Sequence, residues 1–190
     1  FQRCQVNLGL NPQLAGRVNI LPQALSDSDG EVHFNDLGDG RGHYVAEPHG
    51  SLTVASRRLD SWSSQEGLDR LDFIKCDAEG HEMQVLAGSL ESIARFQPVV
   101  FFEALFLWSQ PAEVDRLLQW FRDLDYVVVS SHYPYPYLLD SGGPIPLDLI
   151  ACPRARWTTL HQRLMARGQA RRLGRSRLRA LVDSWRDPLS

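Results

Sequence analysis

Two short apolar runs, each ending in an acid and spaced by one helix length, constrain this chain more than anything else in it. LDFIKCD at 71–77, whose apolar residues are bounded by a helix start, and PVVFFEAL at 98–105 are of strand length and read as buried strands. Between them, Glu79 to Arg95 places Met83, Leu86, Leu90 and Ile93 on one helical stripe. Strand, helix and strand at this spacing make a crossover between parallel strands. The alternation continues with a helix over 111–124, its Val114, Leu117, Leu118 and Phe121 inward, a strand YVVVSS at 126–131, and a last strand LDLIAC at 147–152. Upstream, Val18 to Leu25 reads as a strand, SDSDG at 26–30 as a turn, and Glu31 to Asn35 as a second extended piece. Residues 36–56, rich in Gly, Pro and His, read as a loop or irregular edge. The pattern is that of an open α/β sheet with crossover helices.

The 190 residues suffice for one domain with its own core, and a charged share of 23% excludes wholesale disorder. No apolar run reaches the ~20 residues needed to span a bilayer, and FQRCQVNLGLNPQ has none of the parts of a secretory signal. The expectation is a cytoplasmic protein with no membrane partner. Cys4, Cys76 and Cys152 form no CxxC pair and suit reduced thiols. The net charge of −3 conceals a split: residues 153–190 hold ten Arg against Asp183 and Asp187, or +8, which leaves −11 for residues 1–152. That asymmetry divides the chain into a body over 1–152 and a basic helical tail over 153–190. Trp157, Leu160 and Leu164 recur at helical spacing, as do Leu178, Leu181, Val182 and Trp185, so the tail reads as amphipathic helix docked on an acidic body. It lacks the interleaved aromatics that stack bases, and no nucleic-acid partner is expected.

Ligands of open α/β sheets sit beyond the carboxyl ends of the strands. Asp77 ends one buried strand and Glu103 the next, so both carboxylates face one crevice. Asp77, Glu79 and Glu82 admit two readings. Acids at a helix start cap free N–H groups; three together, with Gly80 leaving room for close approach to the backbone, suit a site. Lys75, the only lysine of the chain, stands two residues before Asp77 on the same strand face, as a charge partner at the crevice or as a structural ion pair. Tyr133, Pro134, Tyr135, Pro136 and Tyr137 make a rigid aromatic loop suited to covering a substrate.

IKCDAEGHEMQVLAG followed by PVVFFEA resembles the core of the FkbM-type S-adenosylmethionine-dependent methyltransferases, which runs approximately I-K-x-D-x-E-G-x-E-x-x-V-L-x-G and then a strand ending in Glu. NLGLN at 7–11, ALSDSDGEVHF at 24–34 and RLDSW at 58–62 extend the resemblance over about residues 1–152. It implies a Rossmann-like class I methyltransferase sheet. The expected reaction is methyl transfer from S-adenosylmethionine to a hydroxyl on a sugar, glycan or other small metabolite. Asp77 is expected on the cofactor side, at the methionine end, and Ala24 and Leu25 at the adenine. Glu79, Glu103 and His81 are the candidate bases for the acceptor hydroxyl. The favoured transfer is metal-free; the alternative has Asp77, Glu103 and His132 holding Mg²⁺.

A glycine-rich turn should open a helix beneath the cofactor. DLGDGRG at 36–42 fails on both counts, since HYVAEPHG at 43–50 has no helical stripe and too few residues remain before Asp77 for the intervening elements. The resemblance therefore implies a chain truncated at its N-terminus, the C-terminal two-thirds of such an enzyme. A remnant or binding module that keeps the fold without catalysis is the competing reading.

Overall fold

The computed structural model describes residues 1–35, 44–45, 50–104, 111–131 and 148–170. In chain order the elements begin with α1 (Gln2–Gly9) and a 3-10 turn at Pro12–Leu14, followed by β1 (Ala24–Leu25), β2 (Gly30–Asn35), β3 (Tyr44–Val45), β4 (Leu52–Arg57) and α2 (Leu59–Gln65). Next come β5 (Phe73–Cys76), α3 (Glu82–Ala87), α4 (Leu90–Phe96), β6 (Val99–Glu103), α5 (Pro111–Asp123), β7 (Tyr126–Ser130), β8 (Asp148–Pro153) and α6 (Arg154–Ala170). No helix among the described residues is long and apolar enough to cross a membrane.

The strands form two sheets, ordered β1-β4-β2-β3 and β5-β6-β8-β7. In the second, β5 and β6 are parallel, with Cys76 opposite Phe102, while β8 runs antiparallel to both β6 and β7. Consequently β5, β6 and β7 all point one way, and β8 is inserted between the last two. Period-two alternation assigns the faces. Ile74, Cys76, Val100, Phe102, Val128 and Ala151 meet Leu59 of α2, Val85 and Leu86 of α3, Ile93 of α4, and Leu117, Leu118 and Phe121 of α5. On the opposite face Val99, Phe101, Val127, Val129, Ile150 and Cys152 meet Leu160 of α6, with Trp157 beside it. The result is helix, sheet and helix in three layers. Phe121 lies between Phe102 and Tyr126, at ring separations of 5.8 and 5.4 Å, and the Tyr126 hydroxyl donates to the Pro98 carbonyl at 2.8 Å. That bond satisfies the one polar atom of a buried ring.

The first sheet departs from the expected strand over 18–25. Only Ala24 and Leu25 pair, in parallel with Ser56 and Arg57 of β4; Pro22 has no N–H to give a ladder. The stretch 36–56, expected to be a loop or irregular edge, contains the edge strand β3 and most of β4, whose apolar residues are sparse because one face is open to solvent. DLGDGRG at 36–42, His132, the Tyr-Pro loop and residues 171–190 lie outside the described residues.

The single helix expected over 79–95 is two, α3 and α4, broken at Gly88 and Ser89. A Cβ on Gly88 would stand 1.9 Å from the Ser26 carbonyl oxygen, so the chain just after β1 is packed against the break. The break resets the helical phase. Leu90, placed inward by an unbroken stripe, is 41% exposed, whereas Ile93 is fully buried.

Candidate functional site

One residue beyond the Cys76–Phe102 pair, at the carboxyl ends of the parallel strands, stand Asp77 and Glu103. Asp77 forms an ion pair with Lys75, both side chains being about two-fifths exposed. Glu103 faces Asp148 across the antiparallel β6–β8 ladder. Its proton affinity is raised above the ordinary glutamate value, first by desolvation and then by the negative charges of Asp77, Glu79, Glu82 and Asp148. Asp77, expected to share a crevice with Glu103, is thus within electrostatic reach of it, as are Glu79 and Glu82. Asp148 is a fifth that the sequence reading did not single out. Its place opposite Glu103 follows from β8 being inserted antiparallel, which no local pattern announces.

The loop after β5 has a particular shape. Glu79 and Gly80 both take positive φ, +50° and +98°, and α3 begins only at Glu82. The capping reading holds in part for one of the three acids: Glu82 stands in the first turn of α3, whose N-cap is His81 with no side-chain cap bond. From there Glu82 reaches backwards. Its Oε1 accepts from Ala78 N–H at 2.8 Å, and Gly80 N–H is shared between its Oε2 at 3.0 Å and its Oε1 at 3.3 Å.

His81 lies on the same loop, its Nε2 2.9 Å from the Ser26 hydroxyl. Ser26 is buried and follows directly on Leu25 of β1, so this contact brings the end of β1, with Ala24 and Leu25, to the loop that carries Asp77. Ser26 also provides the carbonyl packed against Gly88, and the two contacts fasten the first sheet to α3. Asp29 of the same turn accepts from Arg58 N–H at 2.7 Å, and that bond, with a second from Ser61, holds its carboxyl below the usual aspartate range.

Asp60 is the acid of the RLDSW step, and it is structural. Buried at the start of α2, it accepts from the Ser92 and Glu91 N–H groups of α4 at 2.7 and 3.2 Å and pairs with Arg58 at 3.0 Å. A cap supplied from 32 residues away leaves no local trace in the sequence. Burial pushes the Cys76 thiol, beside the site in sequence, up to about 12, which makes it a core group and not a nucleophile. Among the described residues no three His, Cys, Asp or Glu side chains converge to hold a metal ion.

Acids at the ends of two parallel strands, on a mixed α/β architecture with one antiparallel strand inserted, are consistent with a methyltransferase fold. The family model for the methyltransferase FkbM domain matches residues 1–128, and the chain belongs to that family. It is also similar to the 2-O-methyltransferase NoeI of Sinorhizobium fredii (strain NBRC 101917 / NGR234), 30% identical over 112 residues. That match covers 49% of this chain and 44% of the relative, so the chain spans less than half the length of this curated protein. No solved structure matches the chain.

Proposed function

We propose that the protein transfers a methyl group from S-adenosylmethionine to a hydroxyl of a sugar or another small metabolite. The observation that carries the reading is the cluster of Asp77, Glu79 and Glu103 at the carboxyl ends of β5 and β6 in a chain of the FkbM family. The negative field suits a ligand whose reacting end carries an ammonium and a sulfonium. S-adenosylmethionine supplies, when bound, a methyl group on a sulfonium that an oxygen can displace.

Asp77 holds the amino group of the ligand's methionine end, and the end of β1, Ala24 and Leu25, lies against the adenine. Glu103, with its raised proton affinity, takes the proton of the acceptor hydroxyl, and Glu79 is the next candidate. His81 is less available for this because its ring is engaged with Ser26. The sheet is of the Rossmann-like class I kind. The body over 1–152 then carries the reaction, α6 at the start of the basic segment docks on it through Leu160, and the enzyme works in the cytoplasm without nucleic acid, membrane or metal.

The test is incubation of the full-length protein with methyl-labelled S-adenosylmethionine and a panel of hydroxylated sugars, with product analysis by mass spectrometry. Label on a sugar oxygen is the expected result. Calorimetry showing no cofactor binding to the full-length protein would sink the reading.

A further inference from the structure

Glu82 is the most deeply buried acid beside the site, 3% exposed, and it stands among other acids, where one more negative charge is unfavourable. An amide at this position would avoid that charge. The hydrogen bonds explain the carboxylate: Glu82 uses both oxygens to accept from two backbone N–H groups, Ala78 and Gly80. A glutamine presents one acceptor oxygen: with it in the Oε1 place Ala78 N–H keeps its bond, while Gly80 N–H keeps only the longer 3.3 Å contact and meets an NH₂ where its 3.0 Å acceptor stood. Both donors lie in the loop before α3, so the carboxylate holds the loop. The loop needs holding, because Glu79 and Gly80 are consecutive left-handed residues, a conformation that disfavours a non-glycine residue such as Glu79.

We propose that Glu82 is a positioning residue: its buried carboxylate clamps the Ala78 and Gly80 amides and thereby sets the turn that presents Asp77 and Glu79 beside Glu103. This rests on the methyltransferase reading of the site. Glu82 touches neither cofactor nor acceptor and acts through the loop backbone. Misplacing a reacting group by ~1 Å costs up to about 10²-fold in rate, and a turn that relaxes by one hydrogen bond can shift a side chain that far.

The experiment compares wild type with Glu82→Gln. In the 190-residue chain, amide hydrogen exchange and ¹⁵N–¹H shifts are read at Ala78 and Gly80. In the full-length protein, kcat and KM are measured with labelled S-adenosylmethionine and the sugar that wild type methylates. Gly80 N–H should exchange faster in the variant while Ala78 N–H stays protected. The value of kcat should fall roughly 10- to 100-fold, with KM changing about twofold or less. Should Glu82→Gln fail to fold, Glu82→Asp, one methylene shorter with its charge intact, takes its place with the same readouts. Wild-type turnover by a variant whose Gly80 amide has been released would overturn the proposal, as would unchanged protection of that amide. A wild type that methylates nothing defeats the functional reading instead, and the amide data still decide whether Glu82 holds the loop.

Discussion

Replacing Asp60 with alanine should destabilise the fold by about 2–4 kcal/mol, a figure that follows from what its carboxylate holds. Helix α4 has no cap of its own: the Ser89 hydroxyl at its start donates back to the Val85 carbonyl at 2.6 Å, leaving the first N–H groups to Asp60. Ser92 is buried, so its stranded N–H costs the full penalty of an unsatisfied donor, about 1–3 kcal/mol. Glu91 is exposed and water can replace the lost acceptor there, adding a few tenths to about 1 kcal/mol. The half-exposed Arg58 pair contributes no more than about 1 kcal/mol. For a chain of this length each kcal/mol moves the melting temperature by about 2–4 °C, so Asp60→Ala should melt roughly 5–15 °C lower by circular dichroism. Asp60→Asn keeps one acceptor for Ser92 and should lose about half as much. If Asp60→Ala melts within about 2 °C of wild type, the remote cap contributes nothing and the reasoning fails.

Glu103→Gln should raise the melting temperature near pH 7. The folded pKa of Glu103 lies above its unfolded value near 4.5, so the unfavourable charge is absent below that value and accumulates as pH rises toward the folded one. The two melting curves should converge by about pH 4, and a gap that persists there would refute the charge argument. Asp77→Asn in the full-length enzyme should cut methyl transfer by about 10²- to 10³-fold while the fold holds, since the side chain is about two-fifths exposed and its ion-pair partner is Lys75. Near-normal turnover would make Asp77 a surface acid. Of the three thiols, a disulfide reagent at pH 8 should titrate Cys4 alone in the native chain, because Cys76 and Cys152 are buried and both pushed up to about 12. Rapid reaction of two or three would contradict that burial.

What was legible in the sequence was the period, and what was not was everything that acts across it. β6, β7 and β8 lie where continuous apolar runs placed them, because strands buried on both faces must be apolar throughout, and β5 lies at its expected place although Lys75 within it is exposed. Leu117, Leu118 and Phe121 of α5 and Leu160 of α6 point inward as their spacing requires. β4 escaped notice because LTVASR has an open face and therefore no apolar run. The break between α3 and α4 escaped because its cause is the Ser26 backbone, more than sixty residues upstream of Gly88. The acids at the strand ends were visible as a cluster, but their division of labour was not. Glu82 as clamp, Asp60 as remote cap and Asp148 as cross-strand neighbour all depend on contacts that only the folded chain creates.

Those contacts also explain why the site stands at the junction of the two sheets. The first sheet is small and largely solvated, and could not position anything by its own packing. It is held at Ser26, between the His81 ring and the backbone at Gly88, and at Asp29, which accepts from Arg58 N–H. Each tie ends within a few residues of an acid: His81 lies between Glu79 and Glu82, and Arg58 pairs with Asp60. Any shift of the first sheet is therefore transmitted to the loop after β5 and to the cap of α4. That coupling gives the end of β1 a fixed place relative to Asp77, as the S-adenosylmethionine site proposed above requires.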